Sequence, residues 1–259
     1  MKLRFEQISK RFGDLAVIEG FDHTVAAGEL VALVGPSGCG KSTLLHLVAG
    51  LETPSAGRVL AGDKPIEGPH PSRTLVFQEH ALYPWLTLRE NVALALEFQK
   101  TPRAQARSQA DQWLEKVKLE GFGDYYPHQV SGGMRQRAAL ARAFIARPEV
   151  LLLDEPFGAL DALTRMTLQD VLRDLIREES PTVLLVTHDV DEALFLADRV
   201  LVFSNRPARV LTEIKLAHLP KSHDLSVFAQ ERRTILSLLG IDAHHPEAEA
   251  GTGTGGMFI

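Results

Sequence analysis

Gly35-Pro36-Ser37-Gly38-Cys39-Gly40-Lys41-Ser42-Thr43 meets the spacing G-x-x-x-x-G-K-S, a pattern that cradles nucleotide phosphates. Glycines let backbone N–H groups turn inward around phosphate oxygens, where a Cβ would obstruct the approach. A helix starting at Lys41 adds the partial positive charge of its N-terminus. In such a loop Lys41 reaches the β- and γ-phosphates and the Ser42 hydroxyl ligates Mg²⁺. The competing account is a chance glycine turn, against which stand the apolar run before the loop and the helical pattern after it. The chemistry expected of such a loop is nucleotide binding and hydrolysis, with ATP the preferred nucleotide. Cys39 carries a thiol at a helix start, where nucleophiles occur; no His or Asn stands near it in sequence, so a small loop residue is the preferred reading.

Val150-Leu151-Leu152-Leu153-Asp154-Glu155 is an apolar strand delivering two acids to its C-terminal end, where parallel α/β sheets bind ligands. Asp154 would hold Mg²⁺ through water, and Glu155 would polarise the water that attacks the γ-phosphate. An exposed acidic turn is the alternative, and the upstream loop tips the balance to function. Ser131-Gly132-Gly133 places a hydroxyl and two glycines at another helix start. That is either a second anion-binding nest or a plain helix cap.

The elements needed to position these groups follow from periodicity. Leu3 to Ile8 and Glu29 to Val34 read as strands, and Lys41 to Ala49 as a helix stopped by Gly50. Asp63 to Ser72, with three prolines and Gly68, reads as a loop, and Thr74 to Phe77 as a short strand. Thr87 and Glu90 form a capping box that opens a helix from Leu88 to Phe98. Gln105 to Leu119 has helical spacing, with Trp113, Leu114 and Val117 on one face, and Ser131 begins a helix to about Ala146. Strands are then expected at Val150 to Leu153, Thr182 to Thr187 and Val200 to Phe203, and an amphipathic helix at Leu163 to Glu179. The pattern is α/β with a mainly parallel sheet. Ala248 to Ile259, rich in Gly and Thr, is expected to be disordered.

Composition bounds the function. The 259 residues are 45% hydrophobic and 24% charged, an ordinary globular balance. A net charge of −5 without a basic stripe gives no reason to expect nucleic acid. A lone cysteine rules out an internal disulfide and fits a reducing compartment. The N-terminus lacks the apolar core of a signal peptide, and no apolar run nears the roughly 20 residues of a membrane span. Work at a membrane would need another chain to cross it.

Taken together, the motifs resemble those of the ATP-binding subunits of ATP-binding-cassette (ABC) transporters, over about residues 2 to 215. In order they are GPSGCGKST at 35, Gln78 after a strand, VSGGMRQR at 130, LLLDEP at 151, GALD at 158 and His188 after a strand. Val130 departs from the Leu that usually opens the family's signature. The resemblance implies a P-loop NTPase (RecA-like) core with an antiparallel β subdomain and an inserted helical signature subdomain. The ATPase domain would span 1–215, with the helical subdomain at about 80–147 and a C-terminal extension at 216–259.

It also implies roles at matching positions. Phe12 would stack on adenine, unless it is a core residue of the first strand pair. Gln78 would touch Mg²⁺ and the attacking water while sensing a membrane partner, or be simply an exposed polar residue. His188 would contact the γ-phosphate, or neighbour a cap at Asp189, which has Glu192 at capping-box spacing. Asp161 would link two active sites, or cap the helix after it. In this family two copies pair head to tail, so Ser131 to Gly133 of one closes over ATP held by Gly35 to Thr43 of the other. The segment EHALYPWLTLRENV, with PFGALD, PHQVSGGMRQR and SNRPARV, is similar to importers of the nitrate, sulfonate and taurine group. Ala81 to Leu86 could form a groove for a permease helix, or Leu82 and Trp85 could pack in the core.

The implied partners are a second copy, a transmembrane permease and, indirectly, a solute-binding protein. The implied location is the cytoplasmic face of the inner membrane, as a peripheral subunit. Cassette ATPases acting on DNA or ribosomes usually carry a long coiled coil or two cassettes in one chain. GTPases carry an Asn-Lys-x-Asp motif. Neither pattern is present.

Overall fold

The computed structural model describes residues 1–77, 81–158 and 160–241. β1 (Leu3–Phe12) and β2 (Leu15–Val25) pair antiparallel, and β3 (Leu30–Val34) runs into the glycine-rich loop and α1 (Lys41–Ala49). β4 (Ala56–Ala61), β5 (Lys64–Pro65) and β6 (Arg73–Val76) follow. Three helices come next: α2 (Leu88–Phe98), α3 (Arg103–Lys116) and α4 (Gly132–Ile145). Then β7 (Val150–Asp154), α5 (Ala162–Glu179), β8 (Thr182–Thr187), α6 (Val190–Leu196), β9 (Arg199–Phe203), β10 (Val210–Lys215) and α7 (Ala229–Leu238) complete the order.

The larger sheet has six strands in the order β10-β9-β3-β8-β7-β6. Pairing is parallel from β9 through β6, with β10 antiparallel at one edge. Its inner strands β3, β7, β8 and β9 read as nearly continuous apolar runs because both faces are covered. Side chains still alternate: Val31, Leu33, Leu152, Leu184 and Leu201 face the core that contains α1. Ala32, Leu151, Leu153, Val183, Leu185 and Val200 face the opposite core, which contains residues of α4, α5 and α6. The smaller sheet, β2-β1-β4-β5, is antiparallel.

α2, α3 and α4 pack on one another through Leu88, Val92, Ala110, Trp113 and Phe144, with the Trp113 and Phe144 rings stacked 6.1 Å apart. Trp113, Leu114 and Val117 are buried together, as their spacing requires. Thr87 and Glu90 form the expected capping box, and Gly50 ends α1 in the left-handed region at φ 78°. The expected loop at 63–72 differs: Lys64 and Pro65 form a short strand against Leu60 and Ala61, an edge position that tolerates proline. Trp85 is 68% exposed, so it does not pack in the core, whereas Leu82 is partly buried against it. After β10, the chain returns to α6. Leu216, Phe228 and Ile235 join the main core, and the Arg232 guanidinium pairs with Asp191 at 2.6 Å. Among the described residues no helix is long and apolar enough to cross a membrane. The glycine-rich end, 248–259, lies outside the described residues.

Candidate functional site

Three neighbouring strands bring the site together. β8 lies between β3 and β7, and in register Val34 faces Thr187 while Asp154 faces Val186. The residues just beyond these ends are Gly35, Glu155 and His188, so all three loops leave the sheet on one side. Parallel strands about 4.8 Å apart thus do the positioning.

The phosphate loop is shaped by close approaches. A Cβ on Gly35 would lie 2.9 Å from both Cβ and the carbonyl oxygen of Phe203, so only glycine fits against β9. Gly40 has φ 127° and leaves α1 without a side-chain cap. The first intrahelical bond of α1 runs from Leu44 N–H to Gly40 O at 3.1 Å. The N–H groups of Lys41, Ser42 and Thr43 are therefore the helix's unsatisfied donors, available to an anion. Lys41 is 5% exposed, and its Nζ donates to the carbonyls of Gly35 and Pro36, both at 2.8 Å. A buried ammonium held by two loop carbonyls and a thiol is placed where it could exchange them for an anion's oxygens. Cys39 is buried beneath the loop with its Sγ 3.8 Å from Lys41 Nζ, which agrees with the small-residue reading.

Two carboxylates stand at the end of β7 in different settings. Asp154 accepts a hydrogen bond from Ser42 Oγ at 2.9 Å. Burial pushes its carboxyl above the usual range, against the lowering effects of Ser42, His46 and Lys41. A buried carboxylate beside a hydroxyl is an oxygen donor set that suits Mg²⁺. Glu155 is held at φ 46°, rare for a residue with a Cβ, while its N–H donates to Val186 O at 2.9 Å. This backbone turns its side chain to His188, whose Nδ1 lies 3.0 Å from Glu155 Oε2. His188 is 57% exposed and Glu155 24%, so the pair faces an open side.

The remaining residues singled out from sequence form a second group. Ser131 caps α4 by accepting from Met134 N–H at 3.3 Å, and a Cβ on Gly133 would fall 2.4 Å from Thr164 Cγ2. Asp161 caps α5 by accepting from Thr164 N–H at 3.0 Å. That bond is the first cause holding its carboxyl below the usual range. The Ser131–Gly133 turn and the Asp161 cap thus meet at Thr164. Capping and function are compatible here, since a capped helix start keeps its other N–H groups free. Asp189 caps α6 through the N–H groups of Asp191 and Glu192, while His188 turns to Glu155. Phe12 is 46% exposed with Lys10 Nζ 4.7 Å above its ring, so it is no core residue. Gln78 lies outside the described residues, as does Ala159 of the GALD motif.

Sequence reading missed Asn91. It is fully buried and bonds the backbone of Tyr83, Leu86 and Thr87, fixing the turn that exposes Tyr83 and Trp85. That turn borders a cavity of about 530 Å³ lined by Phe77, Ala81, Tyr83, Leu94, Phe98 and Arg142. Nothing in the spacing of a single Asn signals such a role.

Comparison with known proteins places these features in context. The family described as ABC transporter matches residues 18–158. The aliphatic sulfonates import ATP-binding protein SsuB of Bacillus licheniformis is 43% identical over 242 residues, covering 91% of this chain and 93% of that one. The nitrate transport protein NasD of Klebsiella oxytoca is 42% identical over 239 residues, covering 89% of this chain and 91% of that one. Among solved structures, an ATP-binding cassette determined as a dimer in a post-hydrolysis state with ADP and Pi superposes with a TM-score of 0.72. It is 31% identical, covering 83% of this chain and 98% of that chain.

Proposed function

The chain belongs to the ABC transporter family, and from that premise we propose that it is the ATP-hydrolysing subunit of an importer, pairing with a second copy around two ATP molecules to drive a separate permease. The observation that carries the ATPase reading is the convergence of Lys41, Ser42–Asp154 and Glu155–His188 at adjacent strand ends.

Each group receives a role. Free backbone N–H groups within the Gly35–Thr43 loop, those of Lys41, Ser42 and Thr43 among them, and the Lys41 ammonium bind the β- and γ-phosphates. Glu155 is the general base: it takes a proton from water as that oxygen bonds the γ-phosphorus. The bond from γ-phosphorus to the bridging oxygen breaks, and its electron pair leaves on ADP. His188 orients the Glu155 carboxylate and contacts the γ-phosphate. Ser42, Asp154 and Gln78 would hold Mg²⁺, which when bound neutralises charge on the β- and γ-oxygens. Phe12 offers its exposed face to adenine. Ser131 to Gly133 covers the ATP of the second copy, and Asp161 links the two sites.

The permease is assigned to the cavity beside Tyr83 and Phe98, where an amphipathic helix would bury exposed apolar surface. The chain would then sit at the cytoplasmic face of the membrane as a peripheral subunit, indirectly served by a solute-binding protein. The names of the relatives, for sulfonate import and nitrate transport, favour a small anionic solute such as nitrate, a sulfonate or taurine.

Glu155→Gln tests the catalytic assignment. It should bind ATP, fail to turn over and accumulate as an ATP-bound dimer on size-exclusion chromatography. Turnover at the wild-type rate would sink the assignment. Uptake of nitrate, sulfonate and taurine by vesicles holding the chain with its permease tests the solute.

A further inference from the structure

We propose that Arg165 is a positioning residue for hydrolysis: its guanidinium ties the loop carrying Leu160 and Asp161 to the turn carrying His188, and so sets where the imidazole stands beside Glu155. The inference rests on the assignment of Glu155 and His188 to the reaction.

Arg165 lies one turn into α5, its own N–H donating to Asp161 O at 2.9 Å. Its side chain makes a fork. Nη1 donates to Asp189 Oδ2 at 2.7 Å, and Nη2 donates to Leu160 O at 3.2 Å. Asp189 is itself pinned. Its other oxygen accepts from the N–H groups of Asp191 at 2.9 Å and Glu192 at 3.2 Å, and its own N–H donates to Thr187 Oγ1 at 3.0 Å. The aspartate therefore cannot follow the arginine without disturbing the first turn of α6 or the end of β8. His188 is the residue between Thr187 and Asp189, and its imidazole meets Glu155 Oε2 at 3.0 Å.

Returning along the chain from Glu155 closes a ring. Gly158 N–H donates to Glu155 O at 3.3 Å, and Leu160 N–H donates to Phe157 O at 3.2 Å. Leu160 O then accepts from Arg165. Base, loop, arginine, cap and histidine are thus joined in one circuit. A shift of the loop at Leu160 reaches His188 through a single side chain, by way of rigid helix caps. Gly132, of the Ser131–Gly133 turn, stands against the same Leu160: a Cβ there would lie 3.9 Å from Leu160 Cδ2. The Ser131–Gly133 turn is therefore a neighbour of the loop that Arg165 holds.

Two further features suit a positioning role better than a plain ion pair. Arg165 Nε is buried with no hydrogen-bond partner among the described residues and Glu192 is packed beside it, an arrangement that packing alone would not favour. Both residues border a small cavity shared with Glu155, Gly158 and His188. Burial and the neighbouring Asp189 push the Glu192 carboxyl up to about 8. Burial thus favours the uncharged form of Glu192 and leaves Asp189 as the stronger partner of the Arg165 guanidinium. Lysine could keep that charge pairing but, lacking the planar fork, could not hold Leu160 as well.

The test is steady-state ATP hydrolysis by the full chain as wild type, Arg165→Ala, Arg165→Lys, His188→Ala, Arg165→Ala/His188→Ala and Glu155→Gln. Arg165→Ala should lower kcat by about 10- to 100-fold, the scale of a small misplacement, and leave KM for ATP within about two-fold. Arg165→Lys should recover part of kcat. Added to His188→Ala, the alanine should cost less than about two-fold more, because it acts through the residue already removed. The proposal is overturned if Arg165→Ala folds and keeps kcat, if its loss appears in KM, or if it multiplies in full with His188→Ala. If Arg165→Ala does not fold, Arg165→Lys decides: reduced kcat at unchanged KM supports the proposal, and wild-type kcat overturns it. Wild-type turnover by Glu155→Gln would instead overturn the underlying reading of the site.

Discussion

Ser42 Oγ donates to Asp154 Oδ1 at 2.9 Å, joining the first turn of α1 to the end of β7 across 112 residues of chain. The bond forms because α1 begins just beyond the end of β3 and Asp154 ends β7, at the same edge of the sheet. Ser42 is at once the helix start that offers N–H groups and the hydroxyl that steadies a buried carboxylate. Among the described residues no arginine or lysine is bonded to Asp154, and burial pushes its carboxyl above the usual range despite the lowering effects of Ser42, His46 and Lys41. Ser42 and Asp154 would hold a divalent cation, whose charge would favour the ionised carboxylate.

Ser42→Ala should therefore act on metal use more than on folding. Losing one hydrogen bond to Asp154 costs about 1 kcal/mol of stability. The Mg²⁺ concentration for half-maximal ATP hydrolysis should rise on the order of 10-fold or more. A Mg²⁺ titration of the ATPase rate at saturating ATP checks this. An unchanged titration curve would remove Ser42 from the metal site.

Phe98 is 79% exposed at the last turn of α2 and borders the cavity assigned to the permease. Phe98→Ala removes apolar surface already in water, so stability should change by less than about 0.5 kcal/mol. ATP hydrolysis by the isolated chain should continue, while co-purification with the permease and solute uptake in vesicles should fall together. Retained uptake would move the docking surface elsewhere.

Local rules reach some of these features and stop short of others. Gly40 and Gly50 bracket α1, Thr87 and Glu90 announce α2, and the apolar run Thr182–Thr187 is β8 end to end. Those signals lie within one element. β2 and β4 escape because half their residues face solvent and β1 pairs with both through register shifts, which blur the alternation. α7 escapes because Ile235 is its one fully buried residue, too little for an apolar stripe. The motifs locate Glu155 and His188, but not the bond between them, which depends on β7 pairing with β8. Arg165 and Asn91 have no motif of their own here. Each matters through partners that only the folded chain brings within reach.

Glu192 should make stability fall with pH in a window where carboxylates usually do the opposite. Its folded pKa of about 8 lies above the ordinary 4.5, so between those values the native state binds the extra proton. Stability from this group is complete below 4.5 and declines as pH rises toward 8, by at most about 1.4 kcal/mol per pH unit. Glu192→Gln is neutral throughout and lacks that decline. The difference in Tm, wild type minus variant, should decrease steadily from pH 5 to 8. A flat difference would mean that Glu192 is ionised in the native state.

Gly133 tests how closely the Ser131 turn is fitted to α5. An added Cβ would lie 2.4 Å from Thr164 Cγ2, well inside contact distance. The threonine cannot simply rotate, because its hydroxyl is hydrogen-bonded to Asp161, the cap of its own helix. Gly133→Ala should therefore separate α4 from α5 and cost roughly 1–3 kcal/mol, the range for overpacking. Thr164→Ser removes the offending methyl, keeps the hydroxyl and keeps the N–H that Asp161 accepts. Alone it should be nearly neutral; combined with Gly133→Ala it should restore most of the lost Tm and of the ATP turnover. Additive losses in the double variant would mean that the contact is not what excludes a side chain at Gly133. Recovery of Tm without turnover would mean instead that the glycine is needed by the nucleotide of the second copy.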